Sequence, residues 1–337
     1  ASWLRGVSAL PNSFAHESFV DELAARAGAD PVQFRLQHLR DPRAYELVQA
    51  TADKAGWRPR QGPREAAGNG AQGGEILHGQ GVAYARYVHS KWPGFGAAWS
   101  AWVADVEVNR RTGEVHVRRV VCGHDAGQLV NPAGVTHQVH GNVIQTTSRA
   151  LHERVAFAPH DAPAQQATRQ ALPGGRPAGT VLAQEWGGYP ILNFRQVPVI
   201  EVLHMPRPGE APLGAGESSS VPGTAAIANA IFDATGVRFR APPFTPEVVR
   251  EGLAAAGLLL GGAGGQGGGG GYDAANSGAG GARPEPAAAP KHAESARWPG
   301  RRSGWALAGA LAAGAVGVLV AALLPRAIAP VQLSQTG

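Results

Sequence analysis

Apolar residues along the first 57 positions recur at helical spacing. The pattern predicts a helix beginning at Asn12 or Ser13, with Phe14, Phe19, Val20 and Leu23 on one side. A second helix over 32–39 is announced by Asp30-Pro31, an N-cap acid followed by a residue whose missing N–H falls where no donor is needed, and a third spans 43–55. Residues 58–75 are rich in Gly, Arg and Gln and read as a loop. The period then changes to two. Residues 79–87, 99–109 and 114–121 alternate as strands do, the last pair forming a hairpin around 109–113. A polar-rich helix over 133–153 follows Asn131-Pro132, further strands are expected at 180–186 and 196–205, and helices at 224–235 and 246–255. Strands with glycine turns between groups of helices predict an α+β architecture.

After residue 255 the composition shifts. Residues 256–303 are dominated by Gly, Ala and Pro and read as a flexible linker, because such a segment has too little to bury to offset its ordering entropy. Residues 304–325 then form an uncharged stretch of about the length that crosses a ~30 Å hydrocarbon core. They are expected to be one transmembrane helix, with 326–337 as a tail. Arg297, Arg301 and Arg302 precede this stretch while only Arg326 follows closely, which places the globular part on the cytoplasmic side of a bacterial inner membrane. The alternative is an Ala/Gly-rich helix packed on the protein. The chain opens at Ala1 in loop-like sequence, without an initiator Met, as the later part of a longer protein would.

The formal net charge is +5, with the basic residues dispersed and not interleaved with aromatics, so nucleic acid is not an expected partner. There is one cysteine, Cys122. It excludes an internal disulfide and a cysteine-ligated iron–sulfur cluster within the chain, and no CxxCH haem motif occurs. If the chain does redox chemistry, its cofactor is not held by cysteines and its electrons leave through a partner.

Candidate chemistry concentrates at residues 212–223, PLGAGESSSVPG. Gly214 and Gly216 let backbone approach a ligand without a Cβ in the way. Glu217 follows them and stands just ahead of a helix start, beside free N–H groups and the positive end of a dipole. A lone acid in such a place is ordinarily a solvated loop residue that helps cap the helix. Here the text from Pro212 through Val249 resembles the C-terminal segment of the molybdenum-cofactor subunit of the xanthine oxidase family. In addition, residues 14–44 resemble that family's signature between its two molybdenum-binding halves, and 185–202 belong to the same match.

The helix at 133–153 supports three readings. Gln138, His140 and Gln145 are satisfied by neighbouring backbone in the first. His137 and His140, one turn apart, bind a metal with His124 or Asp125 in the second. The third rests on the stretch 124–145, which resembles the family segment lying against the pterin; Gln138, Gly141, Asn142 and Gln145 match it, while His140 and Thr146 depart from the commonest form, which has Glu and Gly there.

The resemblance implies that the chain is the C-terminal half of a molybdopterin-binding subunit of a hydroxylase that uses oxygen from water, with Glu217 as general base beside the metal. Gly214, Gly216 and Ser218 would join the helix residues in cofactor binding, and Arg5 of the Arg5-Gly6 pair would orient substrate. No side chain ligates molybdenum in that family, since the pterin holds it, in this branch as the cytosine dinucleotide. The resemblance points to the branch acting on nicotinate-like N-heteroaromatics or aldehydes. It implies [2Fe–2S] clusters on a small iron–sulfur subunit and haem c on a c-type cytochrome or other membrane acceptor. The rival expectation is a non-catalytic remnant or a membrane-anchoring assembly subunit.

Overall fold

The computed structural model describes residues 4–64, 74–91, 94–157 and 180–260. The expected linker, transmembrane helix and tail lie outside them, apart from the first residues of the linker. Among the described residues no helix is long and apolar enough to cross a membrane.

Three helices open the chain: α1 (Ala9–Arg26), α2 (Pro31–His38) and α3 (Pro42–Ala55). Asp30 caps α2 through Oδ1, accepting from the amides of Val32 and Gln33 at 3.0 Å each, and Asp41 caps α3 in the same way at Arg43. Gly56 closes α3 in the left-handed conformation, φ 65°.

A four-stranded sheet follows in the order β1 (Ile76–Lys91), β2 (Gly94–Asn109), β3 (Val115–Asp125) and β4 (Val199–His204). The first two pairs are antiparallel and β3 with β4 is parallel. Between β3 and β4 runs α4 (Pro132–Leu151), and the chain ends its described part with α5 (Gly223–Thr235) and α6 (Pro246–Ala255).

Strand alternation sends side chains to two buried faces. On β2, Ala101 and Val103 join Val32, Leu36, Leu47 and Val48 of α2 and α3 on one face. Trp102, Ala104, Val106 and Val108 join α4, α5 and α6 on the other. Helices therefore cover both faces of a mixed sheet, as the expected α+β class requires. Strand β1 and helix α5 approach backbone to backbone. A Cβ on Gly81 would run into backbone atoms of Ala226 and Ala230, and one on Gly79 into backbone of Ala230 and Ala234. Only glycine on the strand against an alanine stripe on the helix permits that spacing.

Four expectations need correction. First, α1 starts at Ala9, and its buried residues are Glu17, Ser18, Asp21 and Ala24, while Phe19 and Leu23 are exposed. The helix turns a polar face inward because arginines meet it there: Arg35 Nε donates to Glu17 Oε2 at 2.8 Å, and Arg238 Nη2 to Asp21 Oδ2 at 2.9 Å. Second, residues 180–186 are not a strand. Val181 makes one isolated antiparallel bridge to Phe157, and Trp186–Gly188 is a 3₁₀ turn with Trp186 exposed. Third, the 196–205 strand is confined to Val199–His204. Last, β1 and β2 are 16 residues each and pair over their whole length, from Ile76 with Asn109 to Lys91 with Gly94, so both strands are longer than expected, while the hairpin expected around 109–113 is present as the antiparallel β2–β3 pair, with the Asn109 amide donating to the Glu114 carbonyl at 2.9 Å.

Candidate active site

Glu217 opens a 3₁₀ turn, Ser218–Ser220, that leads directly into α5. The turn is held on every side. Glu217's own carbonyl accepts from the Ser220 amide at 2.9 Å and from Ser220 Oγ at 2.7 Å. Trp102 Nε1 on β2 donates to the Ser219 carbonyl at 2.7 Å, and Thr146 Oγ1 on α4 to the Ser220 carbonyl at 3.4 Å. Ser218 Oγ lies 2.8 Å from His124 Nε2 at the end of β3. Two glycines allow this packing. A Cβ on Gly223 would stand 2.6 Å from Trp102 Cη2, and one on Gly6, whose φ is +89°, 3.0 Å from Ser220 Oγ.

The Glu217 carboxylate is half-buried and accepts a hydrogen bond on Oε2 from Tyr87 Oη of β1. Burial first, then this contact, pushes the Tyr87 phenol up to about 12, so it stays a donor through the neutral range. Gly214 and Gly216 are exposed, and nothing stands within 4 Å of a Cβ built on Gly216.

Across α4 lies a second group of the expected residues. Arg5, Gly141 and Gln145 line one cleft of ≈ 660 Å³ together with Ile144, Trp186 and Tyr189. Arg5 Nη2 also reaches Gln138 Oε1 at 3.5 Å, and Arg149 Nη1 on α4 fixes the Arg5 carbonyl at 2.7 Å. The 186–192 wall is tied to α4 by Ser148 Oγ, which accepts from the Leu192 amide at 3.0 Å, and by Tyr189 Oη, which donates to Glu153 at 3.0 Å. Glu217 does not line this cleft. The two groups abut through Ser220, which meets Gly6, next to Arg5, and Thr146, next to Gln145.

Asn142 and Ser218 are placed differently. Asn142 is fully buried and its amide donates to the Gln138 carbonyl within α4, and Ser218, 1 % exposed, is bonded to His124. Neither side chain is part of the lining of that cleft. His124 further stacks edge-on to His204, ring centroids 6.4 Å apart, and His204 Nε2 is 2.8 Å from Thr136 Oγ1 of α4. Burial pushes the His204 pKa down.

The metal reading of His137 and His140 loses its further ligand. His124 is engaged by Ser218, while Asp125 accepts from Arg43 Nε at 3.0 Å and Arg207 Nε at 2.8 Å. Among the described residues no group of three or more His, Cys, Asp or Glu side chains converges as a metal site.

Sequence reasoning missed Tyr87. Its signal was the strand period, which puts it on the same face as Gly79 and Gly81, the face packed on α5.

The residues present suit a large anionic cofactor. Arg5 supplies a guanidinium and Gln145 a side-chain amide on the cleft, Gln138 adds an amide beside Arg5, and the Glu153 carboxylate in the lining is engaged by Tyr189. Residues 20–174 match the family model of the molybdopterin cofactor-binding domain. The chain carries part of that domain and is similar to the molybdopterin-binding subunits of the xanthine oxidase family.

It is 58% identical over 257 residues to a nicotinate dehydrogenase subunit of Pseudomonas putida, covering 76% of this chain and 20% of that protein. To one of the subunits of isoquinoline 1-oxidoreductase from Brevundimonas diminuta it is 32% identical over 249 residues, 74% of this chain and 27% of the relative. It thus spans between a fifth and about a quarter of these relatives' length. Quinoline 2-oxidoreductase from Pseudomonas putida 86 shares the fold, with a TM-score of 0.59 at 14% identity over 74% of this chain and 52% of that one.

Proposed function

We propose that the chain contributes the general base and part of the cofactor cradle of a molybdenum hydroxylase acting on a nicotinate-like N-heteroaromatic or an aldehyde. The observation that carries this is the placement of Glu217: a half-buried carboxylate on a turn locked to three strands and α4, whose Ser220 packs against Gly6 and Thr146, the neighbours of cleft residues Arg5 and Gln145. When bound, molybdenum–molybdopterin, in its cytosine dinucleotide form, supplies two-electron oxidation of an electron-poor carbon with oxygen from water.

The chain's own residues hold, orient and move a proton. Glu217 Oε1 or Oε2 accepts the proton released as water-derived oxygen is delivered to substrate. Gln138 and Gln145 donate their amides to the pterin, and Gly141, Gly214 and Gly216 let it approach backbone closely. Arg5 orients the substrate from the edge of the cleft. Electrons pass to an iron–sulfur subunit and onward to a c-type cytochrome or another membrane acceptor. Residues 304–325 tether the assembly to the inner membrane with its globular part in the cytoplasm.

A second reading is a non-catalytic remnant or assembly subunit. Elemental and pterin analysis of the natively expressed complex separates the two. The catalytic reading expects stoichiometric molybdenum and pterin, together with hydroxylation of a pyridine carboxylate or an aldehyde. A complex lacking both groups overturns it in favour of the second.

A further inference from the structure

The β1 face packed on α5 runs toward the start of that helix. Gly79 meets Ala230 and Ala234, and Gly81 meets Ala226 and Ala230, so moving up the strand moves down the helix sequence. From Gly81 to Tyr87 the strand climbs roughly 20 Å at about 3.3 Å per residue. That distance carries the same face past the helix start and onto the turn that precedes it, where Tyr87 Oη donates to Glu217 Oε2. The phenol's position is therefore set by the glycine–alanine packing of the core. The loop leading to Glu217 is fixed from the same hairpin. A Cβ on Gly96 would stand 2.5 Å from Leu213 Cδ2, and the Leu213 amide donates to the Ala126 carbonyl at 2.9 Å.

Glu217 has a second carboxylate oxygen that this contact leaves available. A donor fixed on one oxygen holds the carboxylate plane and presents the other to a reacting proton. A hydrogen bond from a hydroxyl to a carboxylate is charge-assisted and correspondingly strong. On this basis we infer that Tyr87 is a positioning residue for the Glu217 base, orienting its carboxylate through Oε2 so that Oε1 faces the reaction. The inference rests on the reading of Glu217 as the base.

The test uses the assembled enzyme with its partner chains, comparing wild type, Tyr87→Phe and Glu217→Gln. Rates are normalised to bound molybdenum and followed across pH. Tyr87→Phe keeps the ring and its packing and removes only the donor. It is expected to lower kcat per molybdenum roughly ten- to a hundredfold with KM within about twofold, and to move the acid limb of the rate profile upward. A Tyr87→Phe enzyme with wild-type kcat and an unmoved profile, beside an inactive Glu217→Gln, overturns the inference alone. Reduced molybdenum content with unchanged turnover per bound metal also overturns it, by making Tyr87 a residue of assembly. If Glu217→Gln itself keeps the wild-type rate, the reading of the base fails and the inference goes with it.

Discussion

Replacing Arg35 with methionine should destabilise the protein more than any surface change, because it strips the partner from an acid that has no access to water. The side chains of Glu17 and Arg35 are each 3% exposed and meet at 2.8 Å. Arg35 also donates to the Glu17 carbonyl and the Pro31 carbonyl, both at 3.0 Å. Once it is removed, Glu17 keeps the Tyr84 amide at 2.9 Å and the His16 ring at 3.1 Å, neither of which replaces a buried cation. Breaking a buried pair on one side costs about 3–5 kcal/mol. For a folded domain of about 150–250 residues that corresponds to a fall of roughly 6–20 °C in Tm. The assay is urea unfolding of wild type, Arg35→Met, Glu17→Gln and the double variant, read by tryptophan fluorescence. The double variant should be more stable than Arg35→Met, since it no longer buries an unpaired charge. An Arg35→Met cost below about 1 kcal/mol, or a double variant less stable than either single one, refutes the reasoning.

Three further outcomes follow from the same packing. Gly81→Ala should cost about 1–3 kcal/mol or more, because the added methyl meets helix backbone that cannot rotate away; an unchanged urea midpoint would contradict the strand–helix contact. Burial alone would raise the Glu17 pKa, but Arg35, His16 and the Tyr84 amide outweigh it, and at Asp125 burial is likewise outweighed by Arg43, Arg207 and the Gly127 amide, so both acids sit below their ordinary values. Their contribution is therefore complete above about pH 4.5 and lost as pH falls through the lowered folded values, and a stability curve flat between pH 7 and pH 3 would speak against it. Cys122 is fully buried and its thiol is pushed up to about 12 by desolvation, so native protein should resist alkylation at pH 8 and react only on unfolding.

Much of this architecture could be read from residue patterns because local rules and burial agreed. Asp30-Pro31 caps the helix it announces, and the alternation through Val103 to Val108 marked a strand with both faces covered. The inward face of α1 could not be read that way. Its partners Arg35 and Arg238 are 18 and 217 residues from the acids they meet, so nothing in the local pattern signals that Phe19 and Leu23 stay exposed while Phe14 alone of the three packs on the core. Residues 180–186 carry β-prone side chains, but only Val181 finds a partner there, and a strand needs a neighbour more than it needs propensity. At the site, Arg5, Gly141 and Gln145 emerged from sequence and converge on one cleft. Asn142 and Ser218 look identical to them as letters. Which face of a helix points inward is decided by what packs on it, and here α4 turns Asn142 to the core while Ser218 is drawn to His124. Tyr87 escaped notice because its partner lies 130 residues away.

The central claim is that one carboxylate moves the proton in turnover. Exchanging it for its amide isostere, Glu217→Gln, in the assembled enzyme leaves size and packing intact and removes the base. The measurement is turnover per bound molybdenum against wild type. A loss of about 10²–10⁴-fold with molybdenum content unchanged is the predicted result; a rate within a few-fold of wild type at full metal content would contradict it.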